Sequence, residues 1–176
     1  GQQIQVGTLN PGVEVHNGRV RFQLLSNQRV AIEQADFDFA SGTLSMQPTT
    51  IGLGEDETRF ELTLRDVEAA ELLRTLNVSD LTATGQLEGS FPLLLTRRSA
   101  FVNGGVVRAQ GDGGVISYTG AAGDSATGPA RIAFDALRSF RYDALSLTLD
   151  GDLNGDVISS IEFSGHNAGR PVDLSP

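Results

Sequence analysis

The sequence contains no cysteine, no lysine and no tryptophan, and only one methionine, two tyrosines and two histidines among 176 residues. Without cysteine there is no disulfide, no thiolate metal site and no cysteine nucleophile, and the redox compartment stays open. All 13 basic residues are arginine, which reads as a mark of a GC-rich genome and not of function. No apolar run approaches the ~18 residues of a membrane span, and the opening GQQIQVGTL has no basic region followed by an apolar block. The formal net charge of -9 disfavours nucleic-acid phosphates and anionic membrane surfaces as partners. Any lipid contact should therefore be apolar.

What is present describes a folded chain. Hydrophobic residues make up 39% and charged residues 20%, a globular composition. The length suits one β-rich domain over residues 1–176, since a chain of about 150 residues buries roughly 68–70% of its unfolded surface. The first residues already alternate as a strand, so the expectation is an excised C-terminal segment of a longer protein.

The dominant hydrophobic period is two. Val20, Phe22 and Leu24 alternate with Arg19, Arg21 and Gln23; Phe60, Leu62 and Leu64 alternate with Arg59, Glu61, Thr63 and Arg65; Leu145, Leu147 and Leu149 alternate with Ser146 and Thr148. These are half-buried antiparallel strands. In RVAIEQADFDFA the phase shifts between Val30 and Ile32 on one side and Ala35, Phe37 and Phe39 on the other, which predicts a bulge near Glu33 and Gln34. Further strands are expected at Ile4–Leu9, Val13–His16, Thr43–Met46, Thr82–Leu95, Gly105–Ala109, Val115–Tyr118 and Val157–Ser164. Two short helices interrupt them. Asp66 is positioned to cap one with an apolar stripe of Ala69, Leu72, Leu73 and Leu76 and a stop at Asn77; Pro129 opens another carrying Ile132, Ala133, Ala136, Leu137 and Phe140. Each is suited to plug one end of a curved sheet. The segment GAAGDSATG, 120–128, is small and polar and reads as a mobile loop. The fold class is therefore mainly β: a long antiparallel meander forming a twisted, curled sheet, as a groove or an open barrel or sandwich, with two short helices.

Few constellations carry chemistry. Asp150, Asp152, Asn154 and Asp156 alternate and Gly155 is sixth, as in the start of a calcium-binding EF-hand loop. The twelfth position is Ile161, however, not a glutamate, and both flanks alternate as strands, so a hairpin is the better reading and calcium the weak runner-up. A loop of three or five residues centred near Leu153 would pair Leu149 with Val157 and Leu145 with Ile161, keep both apolar sets on one side and free Gly155 for a positive φ. His16 and His166 stand at opposite ends of the chain with no neighbour at a metal-ligand spacing. The acidic pairs Glu55 with Glu57 and Asp36 with Asp38 read as a turn and the polar side of a strand. Gly111, Gly113 and Gly114 lack the helix of a phosphate loop and read as a turn, Ser79 and Asp80 as another, and no serine has a nucleophile-elbow setting. No catalytic residue, metal or cofactor is assigned; the chain is not read as an enzyme.

What remains is the apolar face: Val20, Phe22, Leu24, Phe37, Phe39, Phe60, Leu62, Leu64, Leu145, Leu147 and Leu149. Periodicity alone describes a packed core and an open groove equally. A sheet with one dry face and short helices to fill it suits acyl chains.

Three stretches carry a resemblance to a known family. They are ELTLRDVEAAELLRTLNVSDLTATGQLEGSFPLLL, FVNGGVVRAQGDGGVISY and ALRSFRYDALSLTLDGDLNGDVISSIEFSGHN, with GGVISY, FRYDALSLTLDGD and SGHN the most specific parts. They resemble the C-terminal region of YdbH-like proteins, in the AsmA-like and TamB-like group of bridge-like envelope proteins of Gram-negative bacteria. The likeness is best over 61–167. It departs at Asn167-Ala168, where family members usually have Asn-Pro. The resemblance implies a periplasmic β-groove, held to the inner membrane by an N-terminal anchor of the full-length protein, that passes phospholipid passively between inner and outer membranes. It also implies outer-membrane or envelope protein partners. The alternatives are a closed β interaction module that docks such proteins, and the dicarboxylate-transport role of an older label for this domain.

Overall fold

The computed structural model describes residues 1–9 and 15–167, with the side chains of 6–9, 123, 133, 136 and 167 left aside. Twelve strands form one antiparallel sheet: β1 (Gln2–Leu9), β2 (Val15–Leu25), β3 (Arg29–Phe39), β4 (Gly42–Met46), β5 (Thr49–Gly52), β6 (Glu57–Glu68), β7 (Leu81–Ala83), β8 (Gln86–Thr96), β9 (Ala100–Ala109), β10 (Gly114–Tyr118), β11 (Phe140–Asp152) and β12 (Val157–Asn167). The expected meander holds from β1 through β2, β3, β4, β6, β8 and β9 to β11. Beyond that β11 takes β12 along one edge, and β10 bridges β11 to β7.

The bulge lies where the phase shift placed it. Arg21 pairs with Gln34 but Phe22 pairs with Ile32, leaving Glu33 as the extra residue. The register of β3 with β4 and β5 places Pro48 opposite Glu33. Proline has no N–H to give that ladder, so an unpaired residue faces an imino acid that cannot pair. There the continuous strand bends, and β5 stays with β3 while parting from β6.

Several local expectations are corrected. Asp66 is not a helix cap: β6 runs on to Glu68, Asp66 sits at φ 55° in a bulge between Leu64 and Val67, and Glu68 is the N-cap, without a side-chain bond. The pairing of Val67 with Leu87 holds this segment extended. Helix α1 (Ala69–Thr75) follows, and Asn77 at φ 55° ends it as expected, but Leu76 is 51% exposed and leaves the apolar stripe. The expected strand at 82–95 is two, β7 and β8, broken at Thr84-Gly85, and His16 belongs to β2, Val13 and Glu14 lying outside the described residues. The segment 120–128 is not wholly a loop, because Ala122–Ser125 form a single helical turn, α2. Pro129 does open the last helix, α3 (Pro129–Leu137), but its stripe is misplaced: Ile132 is 72% exposed, Phe140 belongs to β11, and Phe134 makes the packing contact, its ring centroid 5.1 Å from that of Tyr118.

The hairpin is real and its register differs. Leu147 pairs with Ile161, Leu149 with Ser159, Leu145 with Phe163 and Gly151 with Val157. The apolar sets share a face as expected, but the turn centres one residue later, on Asn154, and Gly151 at φ 130° takes the positive angle instead of Gly155.

Candidate functional site

Directly opposed residues of an antiparallel pair share a face, so the strand register sorts the sheet into two faces. One cross-strand row reads Phe37, Leu44, Leu64, Gly89, Val107, Leu147, Ile161, through β3, β4, β6, β8, β9, β11 and β12. The adjacent row on the other face reads Asp36, Ser45, Thr63, Ser90, Val106, Thr148, Ser160. The first row is apolar throughout, with Gly89 its smallest member, and the row behind it is polar except for Val106. At about 4.8 Å per strand the apolar row spans roughly 29 Å. The eleven apolar residues singled out in the sequence all lie on this face: Val20 and Leu24 join it through Ala35 and Val30, Phe22 through Ile32, and Phe60 and Leu62 through Leu93 and Phe91.

Burial along the face is graded. Near α1 it is a packed core: Val15, Phe39, Leu64 and Val67 form one buried cluster and Ala69, Ala83, Leu87 and Val107 another, with Leu72 of α1 against both. Phe39 and Leu64, at 6% exposure each, are core residues. Away from α1 the same face is only half-buried at Val20, Phe22, Met46, Phe60, Leu62, Leu93 and Leu149. At its margins Ile4, Leu24, Leu95, Ile161 and Phe163 are exposed. The helix fills one side of the trough and leaves the other side uncovered.

The polar features fall into structural roles. Asp36 accepts hydrogen bonds from Gln34 and from Ser45 Oγ at 2.7 Å, and Asp38 accepts one from Asn17 at 2.7 Å. In the hairpin Asp150 accepts from the Gly104 N–H, Asp152 from Ser99 Oγ and from the Asn154 N–H at 2.9 Å, and Asn154 Nδ2 donates to the Arg98 carbonyl at 3.3 Å. The alternating acids thus stitch the β11–β12 turn to β9 and the turn before it. Among the described residues no group of three or more His, Cys, Asp or Glu is placed to hold a metal ion. His166 lies 3.7 Å from Asp143, and the two are exposed.

Sequence reasoning missed a knot around Tyr142. This side chain is 1% exposed, and its hydroxyl donates to the Thr84 carbonyl at 2.6 Å, at the break between β7 and β8. Burial raises its phenol pKa above the ordinary 10.0. Four glycines press on it, Gly85 among them, where a Cβ would lie 2.5 Å from the hydroxyl. A Cβ on Gly114 would lie 2.0 Å from the Thr84 carbonyl oxygen, one on Gly113 would lie 1.9 Å from the Tyr142 carbonyl oxygen, and one on Gly165 would lie 2.7 Å from the Tyr142 Cα. GGVISY, FRYDALSLTLDGD and SGHN, far apart in sequence, meet at this residue.

A profile of the YdbH-like family, described as intermembrane phospholipid transport protein YdbH, matches residues 1–176. The chain belongs to the YdbH-like family. The match takes in the earlier strands as well as the three motif stretches, and it attaches the chain to intermembrane phospholipid transport. Such transport takes place in the envelope, between two membranes. No curated protein and no solved structure matches the chain. No helix among the described residues is long and apolar enough to cross a membrane.

Proposed function

We propose that this sheet is one part of a periplasmic β-groove in which phospholipid acyl chains lie along the apolar face while head groups stay in solvent, so that lipid moves passively between inner and outer membranes. The observation that supports it is the uninterrupted apolar row from Phe37 to Ile161 backed by a polar row. A bilayer's hydrocarbon core of about 30 Å makes one chain about 15 Å long; Leu64 and Val107 of this row are buried beside α1, so the room for a chain lies next to them, along the half-buried Val20, Phe22, Met46, Phe60, Leu62, Leu93 and Leu149. Each methylene taken out of water contributes about 0.8 kcal/mol, and a path of like residues lets that gain persist as the chain slides. Phe39 and Leu64 support the wall; Val20, Phe22, Leu24, Phe37, Phe60, Leu62, Leu145, Leu147 and Leu149 are the lipid-facing set. The reading assigns no bond-making step.

A second reading, docking of an envelope or outer-membrane protein along a sheet edge, is favoured by β12, which among the described residues pairs only with β11 and carries exposed Ile161 and Phe163. The experiment that separates the two is mass spectrometry of organic extracts from the chain purified without detergent, beside an unrelated acidic protein from the same cells. Stoichiometric phospholipid on this chain alone is the expected result; its absence sinks the groove and leaves protein docking.

A further inference from the structure

The sheet has a seam. Up to Gln47, whose N–H donates to the Glu61 carbonyl at 2.9 Å, the strand that becomes β5 pairs with both β3 and β6. After Pro48 it pairs with β3 only, so Thr49–Gly52 and the start of β6 run side by side without a ladder. A side-chain bond from Thr49 Oγ1 to the Arg59 carbonyl, at 3.4 Å, spans the gap. Beside the seam lies a pocket of about 390 Å³ whose walls come from both faces: Gln47, Arg59 and Pro92 from the polar one, Thr49, Phe60 and Leu93 from the apolar one.

The chemistry at the mouth is that of a head group. Arg59 projects on the polar face between Glu57 and Glu61, two residues to either side. Its guanidinium is 77% exposed and 3.7 Å from Glu57, a loose pair worth little in water. It can therefore exchange that carboxylate for a phosphate, which a guanidinium binds with charge-assisted hydrogen bonds. A cation flanked by two carboxylates matches a phosphate joined to an ammonium better than it matches a net anion.

We propose that the seam at Pro48 is a side entrance to the apolar face for a zwitterionic phospholipid, with Arg59 taking the phosphate, Glu57 and Glu61 the ammonium, and the acyl chains passing Thr49 and Phe60. This rests on the groove reading and adds where lipid enters and which head group is received. The entrance needs no helix to move, because the ladder is already open.

The test places a photo-crosslinking p-benzoylphenylalanine singly at Leu147 on the apolar face, at Gln47 in the mouth, or at Thr148 on the polar face away from the seam. Each chain is incubated with phosphatidylethanolamine vesicles, irradiated and weighed. Lipid adducts at Leu147 and Gln47 but not at Thr148 are expected, with the Gln47 adduct falling about threefold in an Arg59→Gln background and about threefold when phosphatidylglycerol replaces phosphatidylethanolamine. An adduct at Leu147 without one at Gln47 overturns the entrance and leaves the groove standing. No adduct at Leu147 overturns the groove and the entrance with it, and equal adducts at Gln47 and Thr148 reduce the mouth to unspecific surface contact.

Discussion

The hydroxyl of Tyr142 on β11 donates a 2.6 Å hydrogen bond to the carbonyl of Thr84, 58 residues earlier, where β7 breaks from β8. That bond ties β11 to the break between β7 and β8. Losing it in Tyr142→Phe leaves the Thr84 carbonyl short of its partner at a cost of about 1 kcal/mol. The pH dependence follows from the raised pKa. As pH climbs past about 10, the unfolded chain gives up this proton before the folded one does, so the contribution is complete below the unfolded pKa and is lost through the folded pKa. With no lysine and no cysteine, tyrosines are the only side chains titrating there. Urea midpoints followed from neutral to alkaline pH should fall for the native chain and fall less for Tyr142→Phe, the two curves converging. Parallel curves would show that the phenol is not held neutral by the fold.

Gly113 tests the other side of the same knot. It has φ 73°, and a Cβ there would lie 1.9 Å from the Tyr142 carbonyl oxygen, which is backbone and cannot swing away. Gly113→Ala therefore combines a left-handed angle with a main-chain clash. A loss of more than about 2 kcal/mol is expected, whereas Gly111→Ala, at φ 60° with nothing within 4 Å, should cost about 1 kcal/mol. Matching denaturation curves for the two variants would refute the clash.

How much of this the sequence disclosed depends on how local each feature is. Alternation is a property of neighbours, so the apolar face and the Glu33 bulge were legible in Val20–Leu24 and in the phase shift of β3. Asp66 was misread because DVEAA satisfies both a capped helix and an extended bulge, and only the pairing of Val67 with Leu87, twenty residues on, decides between them. The hairpin's face was legible but its register was not, since turns of different length keep Leu147 among apolar partners equally well. The Tyr142 knot and the β5–β6 seam join residues by register, which no single stretch encodes. The grading of burial along the face was not legible either, because the packing of Leu72 of α1 against the clusters that hold Leu64 and Val107 joins distant parts of the chain.

Calcium should leave the hairpin unmoved. Asp150 and Asp152 already accept hydrogen bonds from Gly104, Ser99 and Asn154, and Asn154 is engaged with Arg98. A Ca²⁺ ion wants 6–8 oxygens and would have to break those bonds for few ligands. Millimolar calcium is expected to shift the thermal midpoint by less than about 2 °C, because ligand at or below its Kd adds at most about 0.4 kcal/mol. A rise that disappears in Asp156→Asn would restore the metal reading.

The graded face makes opposite demands on two leucines that share it. Leu64 is 6% exposed inside the cluster with Val15, Phe39 and Val67, so Leu64→Ala should cost about 2–5 kcal/mol, and Leu64→Asp, a buried charge with no partner, should prevent folding. Leu95 on β8 is 47% exposed at the uncovered side, where a substitution usually changes stability by no more than about 0.5 kcal/mol. Leu95→Asp should therefore fold normally. It nevertheless puts a carboxylate where an acyl chain must lie, each methylene of which loses about 0.8 kcal/mol if left in water. Native-like urea curves with the bound phospholipid reduced at least tenfold are the expected outcome. If Leu95→Asp keeps its lipid, the uncovered half of the face is not the binding surface; if it unfolds the chain, that half is core and the groove has no room.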